Sequence, residues 1–143
     1  MTREDRQLLL TDLCARLQYG VYVKDINKGI KVCKIHEMKP SNTYCLTLIP
    51  MSDSYHYQVY SCDIDSVRPY LRPMSSMTEE EIIEFNNIPS TKNYTIIEND
   101  LPWQVAHYKQ IEWLNKKMFD FRGLIPKGHA IKVTKDDSPY NNL

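Results

Sequence analysis

Apolar positions follow a helical rhythm at both ends of the chain and an alternating one in between. Leu9, Leu10, Leu13, Cys14 and Leu17 recur at spacings of three and four. Thr2 precedes them as an N-cap, Asp5 lies where a capping box needs an acid, and Gly20 follows as the stop. This predicts an amphipathic helix over about residues 3–18. From Val21 the period falls to two. Val21–Asp25, Ile30–Glu37, Thr43–Ile49 and Tyr55–Ser61 read as strands, divided by Ile26-Asn27-Lys28-Gly29, by Lys39-Pro40-Ser41-Asn42 and by a loop over Pro50–Ser54. Within Ile30–Glu37 the apolar phase switches between Val32 and Cys33, which predicts a bulge or a strand buried on both faces. Four short strands joined by tight turns make an antiparallel meander, free to close into a small barrel.

Cys62–Pro73 leaves this sheet as a connector stiffened by Pro69 and Pro73. A short helix follows, with Thr78 as N-cap, Glu81 completing a capping box and Met77 placed to staple Ile82. Glu79, Glu80 and Glu81 fall in its first turn, where the helix dipole favours carboxylates, so local structure accounts for the acidic run. Asn86–Asn99 reads as a loop. Asp100 and Pro102 then open a long C-terminal helix carrying Trp103, Ala106, His107, Ile111, Leu114 and Met118 on one face, ended by Phe119-Asp120-Phe121-Arg122-Gly123. Gly128–Val133 reads as a final strand and 134–143 as a flexible tail. The expectation is a single α+β domain over 1–143: N-terminal helix, four-stranded antiparallel meander, short capped helix, long C-terminal helix. Trp103, Trp113, Leu114, Phe119 and Phe121 are expected to supply much of its core, with an Asp120–Arg122 pair pinning the last corner.

Composition changes this in a few respects. A chain of 143 residues buries roughly 68–70% of its unfolded surface. Eighteen basic residues balance eighteen acidic ones. That lowers the case for a phosphate-backbone binder, removes the acidic excess a DNA mimic needs, and favours self-association into a homo-oligomer. The four cysteines, Cys14, Cys33, Cys45 and Cys62, are too far apart for a Cys-x-x-Cys motif. They read as reduced thiols packed like small hydrophobes. The charged N-terminus and the lack of a long apolar run predict a cytoplasmic chain with no membrane partner.

Four glycines without a cluster offer no phosphate loop. Cys33 with His36, and His56 with Cys62, could form a Cys2His2 zinc site only if residues three apart on a strand shared a face, which alternation forbids. Asp63 and Asp65 would share a face in an extended stretch, but no nucleophile motif accompanies them. No catalytic residue, metal or cofactor is therefore assigned, and the chain reads as a non-enzyme. The ten tyrosines are more suggestive. Tyr44, Tyr55, Tyr57 and Tyr60 fall on adjacent strands with Lys31 and Lys34 nearby, a pattern that stacks bases and holds phosphates. The plainer alternative is half-buried strand tyrosines that keep their hydroxyls wet. These six residues, with Arg122 in the last corner, are the candidate ligand or partner contacts.

Two segments, Asp12-Leu13-Cys14-Ala15-Arg16-Leu17 with Tyr19-Gly20-Val21, and Val67-Arg68-Pro69-Tyr70-Leu71-Arg72-Pro73-Met74-Ser75-Ser76-Met77-Thr78-Glu79-Glu80-Glu81, resemble a family of small uncharacterised proteins from phages, prophages and mobile elements of gut anaerobic bacteria. Trp113-Leu114-Asn115 and Phe119-Asp120-Phe121-Arg122-Gly123-Leu124-Ile125 are similar to the same family. Its members often carry two histidines where this chain has Lys117 and Met118. The family has no assigned activity to carry over. The missing catalytic motif and neutral charge, on this familiar frame, lead to the expectation of a non-enzymatic accessory protein that binds a host or phage protein or other macromolecule. The alternatives are a sponge for a signalling nucleotide that counteracts host defence, and a single-stranded nucleic-acid binder.

Overall fold

The structure is a computed structural model that describes residues 1–39, 44–51, 58–88 and 101–140, with the backbone alone over 101–107. It is α+β. Helix α1 (Arg3–Arg16) opens the chain, with the Thr2 hydroxyl accepting from the Asp5 amide. A sheet follows with β1 (Tyr22–Asp25), β2 (Ile30–Met38), β3 (Cys45–Pro50), β4 (Tyr60–Asp63) and β5 (Val67–Leu71). Helices α2 (Glu79–Asn86) and α3 (Leu101–Lys116) and a two-residue β6 (Ile131–Lys132) complete it.

The first three expected strands form the antiparallel run β3-β2-β1. The fourth, β4, pairs antiparallel with β3 but overlaps the expected Tyr55–Ser61 only at Tyr60 and Ser61, and residues 55–57 lie outside the described residues. The sheet does not stop there. β5 adds antiparallel to β1, and β6 adds parallel to β5, giving six strands in a mixed sheet curled like half a barrel. The stretch read as a connector is therefore a strand. Pro69 is tolerated within it, and its missing N–H costs only one ladder bond. The curl has a local cause in β2. The expected phase switch is present, because two steps along β1 (Val23 to Asp25) face three along β2 (Cys33 to Ile30). A second extra residue, His36, sits between the pairs Ile35–Leu48 and Glu37–Thr47. Each bulge adds bend and right-handed twist.

The core is aliphatic rather than aromatic. Leu9 and Leu13 of α1 pack on Val23, Ile30, Cys33, Leu46, Leu48, Ile64, Val67 and Leu71, with Leu124 closing one end. Phe119 is buried, but Trp113 and Phe121 are half-buried, and the side chain of Trp103 lies outside the described residues. The inner face of α1 is Leu9, Asp12, Leu13 and Arg16, and the expected apolar positions Cys14 and Leu17 are exposed.

The long helix α3 does not end the ordered chain. Its last turn closes as a Schellman motif, with the Phe119 amide donating to the Leu114 carbonyl and the Met118 amide to that of Asn115. Met118 occupies the left-handed position at φ 63°, where glycine is usual, and its buried side chain holds it there. Phe119 then bridges to Arg72. Within the stretch expected as a flexible tail, Tyr140 packs back on the sheet. The Tyr140 hydroxyl donates to the Tyr70 carbonyl and accepts from the Tyr22 amide, filling the gap where β1 and β5 part. Burial pushes that hydroxyl's pKa well up, so it stays a donor.

Candidate functional site

Three sequence segments meet where α1, the end of α3 and the Phe119 corner converge. Arg16, fully buried, donates through Nε and Nη2 to both oxygens of Asp12 at 3.0 and 2.9 Å. It also donates to the Phe119 carbonyl at 2.6 Å and the Asn115 carbonyl at 3.3 Å. Arg122 donates to the same Asp12 at 2.7 Å and to the Asn115 side chain at 3.0 Å. One carboxylate thus serves two guanidiniums, and the carbonyls at the C-terminal, negative end of α3 offset the surplus charge. Burial lowers the pKa of Arg122, against the pull of Asp12. The expected Asp120–Arg122 pair does not form. Asp120 instead accepts from the Leu124 and Ile125 amides, fixing the turn that follows. This cluster is a clamp with every partner internal to the fold.

Among the described residues, the expected contacts do not gather on one surface. Tyr60 faces inward, donating to the buried Asp25 at 2.7 Å, with Lys28 above its ring at 3.8 Å. Tyr44 packs against the core edge beneath Arg6. Lys31 and Lys34 are exposed, and Lys34 pairs with Tyr22 on the opposite face from Tyr60. The Lys31 carbonyl accepts from the Tyr70 hydroxyl. Arg122 belongs to the clamp, and Tyr55 and Tyr57 lie outside the described residues.

The chemistry weighed for other residues resolves in the same direction. Asp65, expected to share a face with Asp63, forms a two-bond ion pair with Arg6, both bonds 2.7 Å. Burial raises the Cys33 thiol and pushes Cys62 up to about 11, so both resist becoming thiolates. Cys33 is buried and His36 exposed, while His56 and the side chain of His107 lie outside the described residues. Among the described residues no group of three or more metal-ligating side chains gathers.

What remains unusual is α2. Its capping box forms as expected, but none of its residues is buried. Polar clasps hold it instead. Glu81 receives both Nη atoms of Arg72 at 2.8 and 2.7 Å, and that guanidinium lies 4.2 Å over the Phe119 ring. Glu84 accepts from Trp113 Nε1 at 3.0 Å, and Phe85 meets the Trp113 ring at 5.5 Å. Trp113 in turn stacks on Phe119. With its inner side so engaged, α2 presents Ile82 and Ile83 to solvent at 44% and 60% exposure. Sequence reading placed Ile82 in a staple and missed the outward stripe. Its signal was the set Glu79, Ile82, Ile83 and Asn86, spaced three, four and seven apart.

The Arg72–Glu81 pair also sets a pH dependence. Arg72 beside it lowers the Glu81 pKa from the ordinary 4.5 to about 2. A depressed carboxylate stabilises the fold above its unfolded pKa, and that contribution disappears as pH falls through the folded value. Urea denaturation from pH 7 to pH 2 is therefore expected to show wild type losing on the order of 2–3 kcal/mol more than Glu81→Gln, mostly below pH 4.5. Parallel curves for the two proteins would remove the pair from the account.

Beside α2 lies a cleft of about 630 Å³, lined among others by Arg72, Thr78, Glu80, Lys117, Lys135 and Tyr140. Its charge is mixed, since Arg72 is spent on Glu81 and Lys117 and Lys135 line it together with Glu80 and Glu84. No helix among the described residues is long and apolar enough to cross a membrane. Compared with protein-family models, with curated proteins and with solved structures, the chain gives no match.

Proposed function

We propose that this protein is a non-enzymatic accessory protein of a phage or mobile element that binds a host or phage protein. The observation that carries the reading is a helix, α2, attached by polar clasps on one side and exposing adjacent isoleucines on the other. Isolated exposed apolar residues are ordinary, but two adjacent ones on a helix with no buried residue, neither of them in the core cluster, favour a partner surface. Capture from host lysate on the immobilised full chain, run beside a substrate-library turnover screen, tests this. A reproducible protein partner without turnover is the expected result. Turnover of a substrate with no partner retained would overturn it.

A small-ligand reading, such as a nucleotide sponge, draws support from the cleft beside α2, whose volume lies in the range of ligand pockets. Its three glutamates, Glu80, Glu81 and Glu84, disfavour a phosphate, so it ranks second. Native mass spectrometry of freshly purified protein separates the two, because a sponge carries its nucleotide through purification. Single-stranded nucleic acid ranks third, resting on the exposed Lys31 and Lys34, and requires affinity that falls steeply with salt.

A further inference from the structure

We infer that α2 inserts as a helix into an apolar groove of a partner protein, and that the groove is edged by lysine or arginine. The inference rests on the protein-binding reading above and gives that partner its chemistry. Glu79, Ile82, Ile83 and Asn86 are all exposed and occupy one stripe of α2, while Glu81 and Phe85 point to the body. This three-, four- and seven-residue spacing is the pattern by which a helix anchors in a groove. Glu80 flanks the stripe and Glu79 begins it. Among the described residues neither has a cationic partner within ion-pair distance.

The sign of this charge selects among occupants. Exposed Glu79 on the stripe, with Glu80 on its flank, repels nucleic-acid phosphates and anionic lipid headgroups, and attracts a basic rim. Size selects further. Eight residues of helix span about 12 Å, too little for the roughly 800 Å² per partner that a stable flat interface requires. A second copy meeting α2 face to face would bury only that stripe. A groove wraps the exposed stripe and the residues flanking it, so it draws more contact from the same residues.

The test uses the full chain and two labelled amphipathic peptides, one of leucine and lysine and one of leucine and glutamate, read by fluorescence anisotropy. The leucine–lysine peptide presents the chemistry assigned to the groove, and should bind at least about tenfold tighter than its acidic counterpart. Ile82→Gln with Ile83→Gln preserves helix propensity and replaces two exposed side chains, so it should abolish that binding with little change in melting temperature. Glu79→Lys with Glu80→Lys should reverse the preference between the peptides. Equal binding of both peptides, binding unaffected by the double glutamine variant, or no binding at all would overturn the inference. A wild-type dimer in sedimentation that the glutamine variant dissolves would also overturn it, by making the occupant a second copy. A lysate partner retained equally by wild type and the glutamine variant would leave the protein-binding reading standing while removing α2 from it.

Discussion

Asp12→Ala is expected to destabilise the fold by about 3–5 kcal/mol, measured by urea denaturation, and to cost more than removing either arginine that Asp12 serves. The reason is asymmetry. Without Asp12, the fully buried Arg16 and the mostly buried Arg122 face each other with no counter-charge. Arg16→Met leaves Asp12 still paired with Arg122 and fills the space with an apolar chain of similar length. Its cost is the loss of donors to the Asn115 and Phe119 carbonyls, roughly 1–3 kcal/mol. In the double variant the two losses should not add, because the lone aspartate's absence matters less once Arg16 is gone. Equal single-variant costs that sum in the double variant would show that these groups do not act as one unit.

The second large effect is expected at Phe119. Its ring is fully buried, stacked on Trp113 at 5.7 Å and covered by the Arg72 guanidinium. Phe119→Ala removes a large buried ring and leaves a cavity, a change worth about 3–5 kcal/mol. It should also loosen α2, because both clasps of that helix, Arg72 to Glu81 and Trp113 to Glu84, are seated on this ring. In a Trp103→Phe background the fluorescence of Trp113 should shift to the red. A variant that loses stability with Trp113 emission unchanged would show that the ring supports the core but not α2.

Much of the architecture was readable from local pattern. The first helix and its Thr2 cap, the antiparallel run of strands, the bulge in β2 and the Thr78–Glu81 box all depend on residues close in sequence, where spacing carries the signal. What pattern missed depends on distant partners. β5 is short and contains Pro69, so nothing local marks it as a strand until β1 offers an edge. The helix stop at Met118 carried no glycine signal because tertiary burial, not backbone freedom, fixes its left-handed conformation. Asp12 and Arg16 looked like polar positions on an amphipathic helix, and only Arg122, 110 residues from Asp12, makes that face an interior one. The inward position of Tyr60, expected on a contact surface, has the same cause. Alternation gives the period of a strand but not which face will be inside, and Asp25 draws Tyr60 inward.

These observations divide the molecule into a frame and a presented helix. The buried clamp ties α1 to the last corner, the Phe119 stack passes that rigidity to the inner side of α2, and the outer side of α2 is left free. Amide hydrogen exchange on the full chain, alone and with the captured partner, tests this division most directly. With partner present, the amides of Glu79–Asn86 should slow strongly, while those of Lys31–Lys34 on the sheet and Asp12–Arg16 in the clamp stay as they were. Protection on Lys31–Lys34 with α2 unchanged would contradict the account, since the partner would then be read by the sheet.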